Sequence, residues 1–280
     1  MSSVDSRLPH PALRAYKAPA EVDLNATLAS GQTFAWQSVK TSWQGWIGDR
    51  AVTLLPQTAT GSTPDWIRNY FSLDLDWRKL HAEFAHDPSL RTATQSFPGL
   101  RLVRDPWWPC LVGFLCSPLK PIPQIRILHH RLRTTLGYGR FPSPEQIASV
   151  GESALRQCGL GYRARFIHAC AVAVVEGRWT WDLTPGMPLA EACQRLCLLP
   201  GIGDKIARCV LLYTGTCLDA FPVDVWTARI LATLYWRKKR APRLPELIEI
   251  ADRRFGPWAG IAQLYLFHWF RAVQGKVART

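Results

Sequence analysis

The sequence predicts an α+β fold, an antiparallel β-rich N-terminal domain packed on a mostly helical remainder. Three observations predict it. Residues ~20–60 alternate apolar and polar positions around short turns. From Thr63 the apolar residues recur at helical spacing. Past Asp105 nearly everything reads as short helices punctuated by Pro or Gly. A length of 280 residues allows one large or two intimate domains with ample core. With 48% hydrophobic and 20% charged residues, the chain reads as folded rather than disordered. The expected division is a β-rich domain with flanking helices over 1–104 and a helical domain over 105–280.

Strands are expected at Gly31–Trp36, Trp43–Ile47 and Ala51–Leu55, the last two joined by a turn at Gly48–Arg50. Pro64 and Asp65 open a helix through Tyr70, and Asp76 opens another through Phe84. Helical patterns follow at 108–116, 122–136, 144–149, 152–157, 163–176, 189–197, 204–214, 224–235, 244–254 and 258–273. There is no solenoid-type repeat and no low-complexity tract. Arg237–Arg243 is a short basic loop, either solvated or placed to touch a polyanion.

Thirty-four Lys and Arg against 21 Asp and Glu give a net charge of +13, which favours polyanionic partners because each neutralised phosphate releases counterions. No apolar run reaches the ~20 residues of a membrane span. The segment Met1–Pro19 has no apolar signal core, so an intracellular protein is expected, in a bacterial cytoplasm or a nucleus. Eight cysteines occur without a CxxC pair or a His cluster, so no zinc site is expected. None follows Cys217, so no iron–sulfur loop lies beyond it. Seven are read as reduced, mostly buried thiols.

The chemistry concentrates in Leu196–Cys209, inside a helix–turn–helix over about 190–214. An amphipathic helix ends near Leu198, Leu-Pro-Gly-Ile-Gly makes a tight turn, and a new helix begins near Asp204. Gly201 and Gly203 permit backbone conformations closed to other residues and let N–H groups approach a phosphate at the positive end of the new helix. This is the layout of a helix-hairpin-helix clamp on a DNA backbone. Lys205 sits in the first turn, where the helix terminus and loss of water both disfavour an ammonium. A neutral amine there can attack a sugar C1′ and form a Schiff base; a plain phosphate-binding lysine is the other reading. Nineteen residues on, Phe221–Val225 places Asp224 at another helix start. It is a helix cap, and the same carboxylate could stabilise an oxocarbenium ion and organise proton transfer.

The hairpin, Lys205 and Pro222-Val-Asp224 together resemble the helix-hairpin-helix DNA glycosylase superfamily, and the lysine marks its strand-nicking branch. Further motifs resemble the eukaryotic-type 8-oxoguanine DNA glycosylases. They are Ser30–Phe34 with Trp36, Tyr70-Phe71 with Leu73-Asp74, and Gly99–Leu102 before Asp105-Pro106. They continue with Cys116-Ser117, Leu160–Arg165, and Gly256–Gln263 followed by Phe267.

The resemblance implies roles. The Gly31 carbonyl would sense the N7–H of 8-oxoguanine, a proton guanine lacks. Gln263 would read the base's Watson–Crick edge, and Phe267 and Cys209 would sandwich it. Cys209 lies four residues beyond Lys205, on the same helix face. Carbonyls of Cys197, Leu199 and Ile202 match a cation position in the hairpin. The implied activity needs no metal or redox cofactor; the implied partner is duplex DNA with an oxidised purine, bound by a monomer.

Three departures matter. Leu119 falls where the family has an asparagine that fills the gap left by the flipped base, and an apolar wedge can do this. Gln124 replaces an arginine that reads the orphaned cytosine, leaving Arg163 as reader with Tyr162 beside it as a wedge. Trp226 and Phe270 replace a histidine and a carboxylate, suggesting a repacked contact. Weaker selectivity for cytosine opposite the lesion is therefore expected. Two other readings stay open. One is a monofunctional alkylpurine glycosylase that does not need Lys205; the other is a non-catalytic helix-hairpin-helix DNA-binding protein.

Overall fold

The computed structural model describes residues 13–56 and 62–277. The segment read above for a signal core lies largely outside them. The chain is α+β, as expected. A four-stranded sheet is built from β1 (Arg14–Lys17), β2 (Gln37–Val39), β3 (Ser42–Ile47) and β4 (Arg50–Leu55), in the order β1-β4-β3-β2. β3 and β4 pair antiparallel through the turn at Gly48, with Trp43 opposite Leu54 and Ile47 opposite Arg50. β1, which the sequence pattern did not reveal, pairs parallel with β4 and ends the antiparallel meander.

The expected strand at Gly31–Trp36 is not formed. The short α1 (Leu24–Leu28), capped by Asp23, leads instead into an irregular loop. Gln32 replaces the missing ladder. Its buried amide donates to the carbonyls of Thr27 at 3.1 Å and Arg101 at 2.9 Å, and accepts from Val103 N at 2.8 Å. A side chain that satisfies this much buried backbone removes the need for a strand partner.

α2 (Asp65–Tyr70) and α3 (Trp77–Phe84) follow, the latter capped by Asp76 as the sequence implies. α4 (Pro88–Ser96) was not foreseen, although Asp87 caps it and Pro88 opens it. α5 (Trp107–Leu115), α6 (Ile122–Thr135) and α7 (Pro144–Leu155) come next. Gly151, at φ +75°, interrupts α7, so the two expected short helices are one broken element. A π-turn at Arg156–Leu160 leads into α8 (Arg163–Val175). α9 (Leu189–Cys197), α10 (Asp204–Tyr213), α11 (Val225–Tyr235), α12 (Leu244–Arg254) and α13 (Ala259–Val277) complete the body.

The apolar core falls into two clusters. Leu28, Trp36, Val52, Leu54, Ile67, Tyr70 and Phe71 close one face of the sheet. A larger cluster runs through the helices and includes Trp77, Leu80, Phe84, Leu90 and Leu100. α3 and α4 therefore bury their apolar faces with the helical body. A buried polar relay leads out of the sheet cluster: Trp36 Nε1 donates to Tyr70 Oη at 2.8 Å, Tyr70 Oη to Asp105 Oδ1 at 2.8 Å, and Asp105 N to the carbonyl of Tyr213, in the helical cluster, at 2.7 Å. Burial pushes the Asp105 carboxyl up to about 6. All eight cysteines are free, seven are buried, and Cys197 is exposed. No helix among the described residues is long and apolar enough to cross a membrane.

Candidate active site

A cavity of about 290 Å³ opens where the Gly31 loop, the end of α5, the start of α6, α10, the Pro222–Asp224 segment and α13 meet. Its volume is near the lower end for small-molecule sites, about 300 Å³. Gly31, Lys205, Cys209, Asp224, Gln263 and Phe267 all line it. These six come from four separate stretches of sequence, and the fold brings them around one cavity.

α10 supplies three of the lining residues because Lys205, Cys209 and Tyr213 are spaced by four. Lys205 is half-buried, and its Nζ donates to Ser117 Oγ at 3.0 Å. The Ser117 hydroxyl donates to the Phe114 carbonyl at 2.7 Å, so toward Lys205 it acts as acceptor. The amine also sits 5.8 Å from the centroid of the Phe114 ring. It is thus held at the cavity mouth, not lost in the core. Burial pushes the Cys209 thiol up to about 11 despite the neighbouring Lys205, so the sulfur is a neutral wall.

Asp224 caps α11. Its Oδ1 accepts from Thr227 N at 2.8 Å while Thr227 Oγ1 accepts from Asp224 N at 2.6 Å, a reciprocal capping box that fixes the carboxylate beside the cavity. Gln263 is 5% exposed, and its Oε1 accepts from Tyr213 Oη at 3.3 Å. Tyr213 in turn stacks on Phe114, with centroids 5.4 Å apart. Gly31 has φ +99°, and a Cβ there would meet Ile122 Cδ1 at 2.5 Å. The backbone conformation is what requires glycine here, since the end of the flexible Ile122 side chain could turn aside.

The turn of the hairpin lies outside the cavity lining. Gly201 adopts φ +81° against the Phe166 ring, where a Cβ would sit 2.6 Å from the ring carbon. Gly203 is extended and open on its Cα face, and no side chain caps α10. Of the three carbonyls matched to a cation position, that of Leu199 accepts the Ile202 N–H at 3.2 Å. Among the described residues no His, Cys, Asp and Glu cluster is suited to a metal. In the basic loop, Arg240, Lys238 and Arg243 converge on Glu246, which neutralises part of that charge.

The remaining expected residues form a rim. Ser117-Pro-Leu-Lys120 is a tight turn closed by Lys120 N to the Ser117 carbonyl at 3.1 Å. Its tip, Leu119, is 98% exposed at φ +58°, a backbone state that costs a leucine strain. Tyr162 is 47% exposed, with the Arg163 guanidinium 4.5 Å from its ring. Arg163 is buried and donates to the Pro118 carbonyl, so it braces the turn. Gln124 is exposed, with Lys120 Nζ 3.5 Å from its Oε1. Trp226 lines the cavity edge, whereas Phe270 packs against the helical core.

Sequence reasoning missed Ser117 as a partner of Lys205, Tyr213 beneath Gln263, and Arg271 in the cavity wall. A signal for two of them existed. Tyr213 continues the 205–209 spacing and Arg271 continues the 263–267 spacing, each four residues on.

Two family models match the chain. One is described as 8-oxoguanine DNA glycosylase, N-terminal domain, over residues 15–111. The other is described as HhH-GPD superfamily base excision DNA repair protein, over residues 126–251. A curated relative, N-glycosylase/DNA lyase OGG1 of Arabidopsis thaliana, is 28% identical over 88% of this chain and 77% of its own. The solved structure of MBOgg1 in complex with a low-affinity DNA ligand is 30% identical with a TM-score of 0.83, covering 91% of this chain and 94% of that one. The Clostridium acetobutylicum 8-oxoguanine glycosylase/lyase, solved with duplex DNA containing cytosine opposite 8-oxoG, shares the fold. It is 22% identical with a TM-score of 0.82, over 91% of this chain and 93% of that one.

Proposed function

This chain belongs to the 8-oxoguanine DNA glycosylase family, and we propose from that premise that it excises 8-oxoguanine from duplex DNA and then nicks the strand. It is a DNA N-glycosylase with AP lyase activity, acting in base excision repair as a monomer wherever the cell keeps its DNA. The observation that carries this reading is the convergence of Lys205 and Asp224 on one cavity with Gly31, Gln263 and Phe267.

The open N-terminus of α10 and Gly203 bind a backbone phosphate near the lesion. The duplex bends and the lesion leaves the stack, at a cost of ~a few kcal/mol that pocket contacts offset. In the cavity the purine lies between Phe267 and the Cys209 thiol, with its edge toward Gln263 and its N7–H toward the Gly31 carbonyl. Guanine offers no such proton, and a buried acceptor left unpaired costs about 1–3 kcal/mol.

Lys205 Nζ, as the free amine, forms a bond to C1′ while the C1′–N9 bond breaks and its electron pair stays on the purine. Asp224 stabilises positive charge on the sugar ring in between. Loss of the amine proton and ring opening give the imine. Loss of a C2′ proton then expels the 3′ phosphate by β-elimination. Leu119 and Tyr162, the exposed apolar groups at the rim, fill the space the base leaves.

Borohydride treatment of the protein with an 8-oxoguanine duplex tests this. The intact protein is expected to give a covalent protein–DNA adduct, and Lys205→Ala none, with base release slowed by about 10³-fold or more. An adduct that survives Lys205→Ala, or no release of 8-oxoguanine by the intact protein, overturns the reading.

A further inference from the structure

Two charged side chains that line the cavity, Lys120 and Arg271, have no part in the chemistry above, and Lys120 lies toward Gln124 on the rim. Arg271 lies on α13, four residues beyond Phe267 and eight beyond Gln263, so all three share a helix face. Its Nη1 donates to the Ser30 carbonyl at 3.2 Å, next to Gly31, and its guanidinium carbon is 5.2 Å from the Phe267 ring centroid. The cation is thereby fixed against two walls of the base site. Arg126 makes a similar contact just before the loop, donating to the Leu28 carbonyl at the end of α1.

The charges around this cavity are lopsided. With Lys205 acting as the free amine, the cations that line it are Lys120 and Arg271, against the single carboxylate of Asp224. The thiol of Cys209 and the phenol of Tyr213 are both held protonated by burial and add no negative charge. In a site shielded from water a fixed charge acts far more strongly than on the surface. A purine expelled from a neutral nucleotide takes the C1′–N9 electron pair and becomes negative, and a fixed cation stabilises it. A purine alkylated at a ring nitrogen starts positive and leaves neutral, so the same cation repels the substrate and gives the leaving group nothing.

We propose that Arg271 is a charge filter in the base site, admitting neutral oxidised purines and rejecting cationic alkylpurines. This rests on reading the cavity as the site of the flipped base, and it assigns to one residue the choice between oxidised and alkylated purines.

Single-turnover release of 8-oxoguanine and of 7-methylguanine from otherwise identical duplexes tests it, with Arg271→Gln and Arg271→Lys beside the intact protein. Gln and Lys are both shorter than Arg and weaken the contact to the Ser30 carbonyl alike, and only Lys keeps the charge, so the pair separates charge from that contact. We expect Arg271→Gln to slow 8-oxoguanine release at saturation by about 10-fold or more, with KM changed much less, and to gain 7-methylguanine release. Arg271→Lys is expected to stay within about threefold of the intact protein for 8-oxoguanine and to release no 7-methylguanine. Thermal melting of each variant reports folding, and Arg271→Met replaces Arg271→Gln should the latter not fold. The filter is overturned if the uncharged variant is unchanged, if it loses activity without gaining 7-methylguanine release, or if Lys behaves as Gln does. In each of those cases the intact protein still releases 8-oxoguanine. Failure of the intact protein to release it defeats the functional reading and the filter with it.

Discussion

In the base cavity each polar group is already held by another part of the chain: Lys205 by Ser117, Gln263 by Tyr213, Asp224 by Thr227, Arg271 by Ser30. On the rim Leu119, Tyr162 and Gln124 stand largely in solvent, and only the turn beneath Leu119 is braced, by Arg163. The contrast separates two tasks. The cavity is organised before any substrate arrives, so its donors need no rearrangement as charge develops. The rim residues have few partners within the chain and gain the rest from the duplex, so the rim can change composition without disturbing the cavity. The departures from the family pattern at Leu119 and Gln124 fall on this second surface.

The largest expected effect tests the cavity side. Asp224→Asn keeps a helix-capping side chain, so melting should shift by little. Base release should nevertheless fall by about 10²- to 10⁴-fold. Activity within tenfold of the intact protein would reduce Asp224 to a cap and break the contrast.

Next comes the buried polar relay behind the cavity. The Asp105 carboxyl titrates near 6 in the fold against an ordinary value of 3.8, with burial as the main cause. The folded state therefore holds this proton more tightly, and its stabilisation is full below pH 4 and lost as pH rises through 6. The change across that window is up to ~3 kcal/mol. Denaturant melts at several pH values should show Asp105→Asn without this slope, while Leu119→Ala keeps it. Parallel pH profiles for Asp105→Asn and the intact protein would remove the relay from the account.

A smaller effect belongs to the rim. Leu119→Ala should lower kcat/KM by about tenfold, in line with ~1.5 kcal/mol of lost apolar burial in the duplex, and should leave stability unchanged because the side chain touches nothing in the free protein. The smallest is a near absence of preference. A bidentate contact to a base discriminates by about 1–3 kcal/mol, and Arg163 is engaged with the Pro118 carbonyl while Gln124 replaces a second reader. Excision opposite C, T, G and A should therefore lie within about tenfold. A preference for C above about 100-fold would show that the rim reads the opposite strand after all.

Helices with a cap or a proline at their start were legible in the sequence, Asp76 before α3 and Pro64 before α2 among them. α4 carries the same signature in Asp87 and Pro88 and was overlooked. The Gly31–Trp36 segment misled because alternation is a local signal, whereas Gln32 satisfies backbone 69 and 71 residues away. β1 was hidden for a related reason: a four-residue strand paired in parallel with a distant one leaves no hairpin signal. Lys205, Asp224, Gly31, Cys209, Gln263 and Phe267 came from motifs, and the fold gathers them. Ser117 and Arg271 could not be assigned that way. Each matters through a partner from another element, 88 and 241 residues distant.

The burial of seven thiols has a consequence for when this protein works. Oxidants that damage guanine also attack sulfur, and they attack the thiolate. Cys116, Cys170 and Cys193 are pushed up to about 12, and Cys209 and Cys217 to about 11, so these sulfurs stay protonated as well as shielded from solvent. Among the thiols, peroxide in the surrounding water meets one that is exposed, at Cys197. The chain is thus hardened against the same stress that creates its substrate.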